Sequence, residues 1–556
     1  MASERTPLRD APGRVTIDGE TYKKDGKEIV LMGGNYVMKA MPYYPPVDVV
    51  RKDAKLMADG AKKTAYTPPP AADGSARAVV PCVRLGALME GAMPTRGSGL
   101  DASFTQKLEA TVKAFQEEGV HVFLDMHQDA YSTTNGGEGY PWWVAADFQK
   151  RAGCCLEQCC CCCCFAMPCF QSCPESCRTS YLANPDHPLQ PFCCLPSCFA
   201  SCCGCSITTY SADSDPWKPY SVGGDSGNPV LMNAGNASMR QNNADGTWSS
   251  LITSAQVQNC VPRLYASAHN QEDKALFFDP FVAFCKYLCG VWEKYDNVIA
   301  VELMNEPPFG GLPNIFKCGT TWRRILSFQS DVLAALDEDP SIKCPIAIGN
   351  WSNAVENESC CVSCLQMSGM PADALKRFQS YANQNRLILS FHWYVPPSTV
   401  TMRKNIELAI QNAAKLGGVP IYLSEYWMGS VEAFAVALAI AANHGCNATT
   451  YWQYADTEFT GQPGWYKYPP SVLNAGNGSP VNSSGQINTD AWNAYSTTVA
   501  DGEIFGAAIT GARGAAMNVL ERVPATPILL DELAPKWPGL CTCFFTKPSR
   551  AHVLLD

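Results

Sequence analysis

The sequence is short of charge. Only 17% of its 556 residues are Asp, Glu, Lys or Arg, where about 25% is usual for a soluble domain. Cations are the scarcer sign: 42 Lys and Arg stand against 52 Asp and Glu, a formal net charge of −10. A nucleic-acid binder normally presents a basic face, so that class is set aside. No run of about 18 apolar residues occurs, and a membrane-spanning helix is not expected. The first ten residues, Met1 to Asp10, hold no apolar stretch of the kind that directs secretion, so no export signal is expected there. No self-similarity at a solenoid period is visible. What is present is a large apolar complement, 46% of the chain, enough for a sizeable core. These properties point to an acidic, enzyme-like protein, cytoplasmic or peripheral on a cytoplasmic membrane face.

Cysteine is distributed very unevenly. Of 29 cysteines, 17 lie between Cys154 and Cys205. That distribution describes one unusual insertion in an otherwise ordinary chain, not a disulfide scaffold throughout.

Outside the insertion, short apolar runs alternate with helical patterns. The runs are Ile29–Met32, Val79–Leu85, Val120–Leu124, Val298–Met304, Ile346–Ile348, Leu387–Leu389, Ile421–Leu423 and Ala448–Trp452. Phe104, Leu108, Val112 and Phe115 have helical spacing, and Phe281–Tyr295 and Val431–Asn443 read as further helices. Strands buried on both faces read as continuous apolar runs. Eight such units predict a closed (β/α)8 barrel of the α/β class with a large cysteine-rich insertion after the third strand. The expected organisation is an N-terminal extension over 1–27, a barrel over 28–522 carrying a cysteine-rich and loop insertion at 151–250, and a tail over 523–556. Within the barrel span, 489–522 reads as helical.

Polar residues follow directly on these runs: Arg84; Asp125, His127, Gln128 and Asp129; Asn305 and Glu306; His392 and Tyr394; Glu425; Trp452 and Gln453. Strand C-termini of such a barrel converge on one face. Glu306 and Glu425, far apart in sequence, would therefore share one cleft. Paired carboxylates are what glycosidic cleavage needs, one to protonate the leaving oxygen and one to attack the anomeric carbon or activate water. A lone Glu at a strand end is more often a salt-bridge partner, and only the joint context favours catalysis. Asp125 and Asp129 with His127 could ligate a metal, but such sites usually gather three or four ligands, so sugar contacts and support are the preferred roles. No cofactor and no metal ion is expected. Gly224-Asp-Ser-Gly227 looks like a serine-protease signature, but nothing else in the chain supports a triad.

Taken in order, Arg84, His127, Asn305, Glu306, His392, Tyr394, Glu425 and Trp452 resemble the eight retained active-site positions of glycoside hydrolase family 5, a group of retaining (β/α)8 glycosidases. Within it, Asp125-Met-His-Gln-Asp-Ala-Tyr-Ser132, Gly139-Tyr-Pro-Trp142 and Tyr451-Trp-Gln-Tyr-Ala-Asp456 resemble endoglycoceramidases and related glucolipid hydrolases. Met89 and Met93 stand where those relatives carry an aromatic residue and an acid. The resemblance implies Glu425 as nucleophile and Glu306 as acid, then base. It also implies Arg84, His127, Asp129, Asn305, His392, Tyr394 and Trp452 as substrate-binding residues. The implied substrate is a glycolipid such as glucosylceramide or a steryl glucoside. An endo-β-glucanase acting on a polysaccharide is the alternative, and a cysteine-rich metal-binding or membrane-scaffold protein with a vestigial barrel is a third reading.

Three readings of the cysteine block stay open. S-acylation at Cys159, Cys160, Cys161, Cys162, Cys163 and Cys164 would tie the chain to a membrane surface. A thiolate metal cluster is favoured by density but not by spacing. A disulfide-bonded lobe would require an oxidising compartment.

Overall fold

The structure is a computed structural model, and it describes residues 13–38, 43–129, 131–132, 138–151, 255–308, 318–349, 370–393, 399–426 and 431–452. The six cysteines named as acylation sites, Tyr394, the helical stretch at 489–522 and the tail at 523–556 lie outside the described residues. So does all of the 151–250 insertion except Arg151.

Ten strands are present among the described residues: β1 (Val15–Asp18), β2 (Thr21–Lys24), β3 (Lys27–Tyr36), β4 (Ala78–Ala87), β5 (His121–Met126), β6 (Val298–Glu302), β7 (Ile346–Gly349), β8 (Leu387–Trp393), β9 (Ile421–Tyr426) and β10 (Ala448–Tyr451). From β3 onward, each strand pairs in parallel with the next. β10 pairs back onto β3, so eight parallel strands close into a barrel. Each of the eight apolar runs is one barrel strand. Several strands continue past the apolar run into polar residues, β3 as far as Tyr36 and β9 as far as Tyr426.

Helices Val47–Lys63, Ala102–Glu117, Asp279–Lys294, Cys318–Asp337, Ala372–Asn383, Thr399–Lys415 and Val431–Asn443 lie in the connections. Each turns an apolar stripe onto the barrel, such as Phe104, Leu108, Val112 and Phe115 from the second of them. Asp101 caps that helix by accepting from the Phe104 amide at 2.7 Å. The continuous helical stretch Gln271–Lys294 is long and apolar enough to cross a membrane. Most of its apolar face is buried, with Phe281, Phe284, Cys285 and Leu288 fully inside.

The first two strands form an antiparallel hairpin that extends to β3. Asp25 and Gly26 make its second turn, both at positive φ (51° and 75°). A tight two-residue hairpin demands that backbone, and Asp-Gly supplies it readily. Val15, Ile17 and Tyr22 from the hairpin join Ile29, Leu31, Val80, Cys82, Phe123, Ile388 and Tyr422 inside the barrel. Phe123 and Tyr422 stack across it with ring centroids 4.1 Å apart. Gly33 keeps the wall thin, because a Cβ there would lie 1.6 Å from the Cys82 carbonyl oxygen. The lower interior is therefore apolar and plugged. Above the Phe123–Tyr422 stack the inward residues become polar, and the site begins.

Candidate active site

Arg84, on β4, is wholly buried. Its Nε donates to Glu302 Oε2 at 2.6 Å. Nη1 donates to Asn35 Oδ1 at 3.1 Å and also to Glu425. Nη2 donates to Asn305 Oδ1 at 2.8 Å and lies 3.0 Å from Asp125 Oδ1. Burial works against the cation, but Asp125, Glu302 and Glu425 outweigh it and hold the guanidinium firmly charged. A planar fork of five N–H groups serves several acceptors at once, which a lysine could not do.

Glu425 faces inward because β9 carries one extra residue opposite β8. The register passes from Phe391↔Leu423 to His392↔Glu425 and skips Ser424. A bulge of this kind re-aims a side chain. Ser424 is itself tied inside: its Oγ lies 2.7 Å from Ser390 Oγ, and its carbonyl accepts from Asn35 Nδ2 at 2.8 Å and from Thr450 Oγ1 at 2.6 Å. Ser390 in turn donates to Glu302 Oε1 at 2.6 Å.

Glu306 stands just beyond β6. Its φ is +32°, a left-handed backbone in a residue with a side chain, which costs on the order of 1–3 kcal/mol and persists only where the surroundings enforce it. His392 Nδ1 lies 3.0 Å from Glu306 Oε1 and 3.5 Å from Glu425 Oε2. The donor atoms of Glu306, His392 and Glu425 all fall within 4.8 Å of one another. Burial raises the Glu306 carboxyl to about 7, a rise that the hydrogen bond from His392 moderates and that Asp129 and Glu425 reinforce. Burial would lower the His392 imidazole, but the Glu425 and Glu306 carboxylates override it and hold it at about 9. An imidazolium between two carboxyls balances their charge.

His127 adjoins the same cleft. Its Nδ1 lies 2.7 Å from Asp125 Oδ2 and its Nε2 3.9 Å from Asp129 Oδ2. Its ring stacks on Trp452, with centroids 5.6 Å apart and planes 10° from parallel. Burial raises Asp125 to about 7 against the pull of Arg84. Asp129 and Glu138 exchange backbone hydrogen bonds at 2.9 and 2.8 Å. With His127 they form a second triad whose donor atoms fall within 4.8 Å, spaced as metal ligands could be. Asn305 is engaged at both ends of its amide, accepting from Arg84 and donating to the Gln128 carbonyl at 2.9 Å.

The fold thus gathers Arg84, His127, Asp129, Asn305, Glu306, His392, Glu425 and Trp452 at one end of the barrel, and Tyr394 lies outside the described residues. No protein-family model matches the chain. It is 31% identical over 142 residues to endoglycoceramidase I of Rhodococcus hoagii (strain 103S), which is 25% of this chain and 24% of that protein. It is 27% identical over 144 residues to the endoglycoceramidase of Cyanea nozakii, 24% of this chain and 25% of that one. Over that stretch the chain resembles endoglycoceramidases. It spans about a quarter of the length of these curated relatives. Among solved structures, the lactosyl-enzyme intermediate of endo-glycoceramidase II from Rhodococcus sp. overlays with a TM-score of 0.45 at 16% identity, covering 86% of this chain and 80% of that one.

Beside these positions stand residues with weaker marks in the sequence. Glu302 and Asn35 both grip Arg84. A signal for each was present: Glu302 is an acid directly after the apolar run Val298–Val301, and Asn35 follows the Gly33-Gly34 pair. Ser390 and Glu138 had no such mark, because an isolated Ser in a strand and a Glu in a glycine-rich loop are ordinary.

Proposed function

We propose that this chain is a retaining β-glycosidase acting on a glycolipid, either glucosylceramide, a steryl glucoside or a related glycosphingolipid. The observation that carries this reading is the pair Glu306 and Glu425, both beside His392, with one carboxyl oxygen of each within 4.8 Å of the other. Retaining enzymes hold their two carboxyl groups about 5–5.5 Å apart, and inverting ones leave room for a water. The Glu425 carboxylate, paired with Arg84, attacks the anomeric carbon. Glu306, its carboxyl raised to about 7, gives its proton to the leaving oxygen. The covalent glycosyl–enzyme forms as the aglycone departs. Glu306, now a carboxylate, takes a proton from water. That water attacks the same carbon and frees Glu425.

The lipid aglycone rests on the similarity to proteins named endoglycoceramidases. We further propose that fatty acids on the six cysteines from Cys159 to Cys164 hold the chain at a cytoplasmic membrane face. The connection after β5 leaves from the end of the barrel where the carboxyls lie, so acyl chains there would bring the cleft to the bilayer. Cysteine-depleted protein that still sediments with membranes would end that part of the proposal.

The test is hydrolysis of glucosylceramide and of cellohexaose side by side in detergent, with Glu425→Gln as the blank. Glutamate-dependent release from the lipid supports the proposal. Release from the oligosaccharide alone assigns a polysaccharide substrate instead, and release from neither refutes the glycosidase reading for both.

A further inference from the structure

We propose that Gln128 is the positioning residue of the acid/base step: its side-chain amide fixes the strained backbone on which Glu306 stands. The inference rests on the glycosidase reading of Glu306 and Glu425.

Gln128 follows β5 and is buried. Its Nε2 donates to two consecutive carbonyl oxygens, that of Asn305 at 2.8 Å and that of Glu306 at 2.7 Å. Its Oε1 accepts from the Tyr131 amide at 3.1 Å. Every polar atom of the side chain is therefore engaged, and two of its three bonds fall on the turn that carries Glu306. The same segment grips that turn twice more, through the Gln128 carbonyl to Asn305 Nδ2 at 2.9 Å and the Met126 carbonyl to the Asn305 amide at 2.9 Å.

Glu306 has φ +32°. A left-handed backbone in a residue with a side chain relaxes unless it is held. A primary amide is suited to this hold, because one nitrogen carries two hydrogens for two carbonyls. A glutamate there would set a carboxylate against both oxygens. Gly139 lets the amide sit where it does: at φ +122°, any Cβ on it would lie 2.3 Å from Gln128 Cβ. None of the hydrogen bonds of Gln128 goes to Arg84, Glu425 or His392, so its action is directed at the acid/base and not at the nucleophile.

This gives a signature that general damage would not give. Proton donation matters in proportion to how poor the leaving group is. The test compares wild type, Gln128→Met, Gln128→Asn and Glu306→Ala on aryl β-glycosides of an accepted sugar, from dinitrophenyl to unsubstituted phenyl, with thermal melts to confirm folding. Gln128→Met should lose about 100-fold in kcat/KM on the phenyl glycoside and about threefold or less on the dinitrophenyl glycoside. Added azide should accelerate turnover of the activated substrate by bypassing the base step. Gln128→Asn, which keeps the donors on a shorter arm, should fall between and serves if the Met variant does not fold. Equal losses across the series, or none, would overturn the role of Gln128. If Glu306→Ala itself shows no leaving-group dependence, the glycosidase assignment of Glu306 fails instead, and the two failures are told apart.

Discussion

Arg84 and Glu302 meet through Nε and Oε2 at 2.6 Å with both side chains shut off from solvent, and the other arm of the same guanidinium holds Glu425. The charge on Arg84 is thus shared between a carboxylate that reacts and one that does not. Glu302 keeps Arg84 from neutralising Glu425 completely. Glu302→Gln leaves the guanidinium to pair more fully with Glu425, which should then attack more weakly. The expected outcome is a kcat lower by roughly tenfold, about 1.4 kcal/mol of barrier. An unchanged kcat would leave Glu302 a purely structural ion pair.

Arg84→Lys should be much worse. One ammonium replaces a fork that serves three carboxylates and two amide oxygens, and buried acids are left without partners. A loss of about 3–5 kcal/mol in stability is expected, read as a fall in the denaturant midpoint. Activity should drop below a hundredth of wild type even at temperatures where the variant is folded.

The pH profile should fall on its alkaline side near the Glu306 value. Burial raises that carboxyl to about 7, so the proton needed for departure of the leaving group is lost as pH rises through 7. Glu306→Gln should remove this limb and lower the rate on a lipid glycoside by about 10²–10⁴. Steady-state rates across pH 4 to 10 would check both.

Stability should run the opposite way from that of a protein held by paired carboxylates. Asp125 and Glu306 keep their protons to about 7 when folded, and His392 keeps its proton to about 9. The folded state therefore binds more protons than the unfolded chain. This site's contribution to stability declines as pH rises from about 4 toward 9. Glu306→Gln, which has no proton to lose, should melt higher than wild type at pH 8 by about 2–5 °C. An equal or lower melting point would show that the burial cost is relieved in some other way.

Gly33→Ala tests the thin wall of the barrel. The added methyl would collide with the Cys82 backbone oxygen, and backbone on both sides leaves little room to give. A loss of at least about 3 kcal/mol, or failure to accumulate as folded protein, is expected in urea titration.

Much of this was legible beforehand. Strands buried on both faces must be apolar throughout, so all eight barrel strands showed as short runs. The polar residues that end them had to lie at one rim, because parallel strands share a direction. The hairpin Val15–Lys24 leaves little trace in the sequence, because its strands are four residues each and half polar, and Asp25-Gly26 marks only the turn that leads from it into β3.

The sequence by itself determined the alternation of strand and helix, the barrel, and the set of groups at its rim, since these follow from local periodicity and strand direction. Only the tertiary structure decided how those groups share charge. Glu302 is set against Arg84 across 218 positions of chain, Gln128 against the Glu306 carbonyl across 178, and Ser424 is turned inward by a bulge that depends on pairing with β8. Such relations arise when distant segments close on one another and exclude water, and no single segment carries a trace of the partner it will meet.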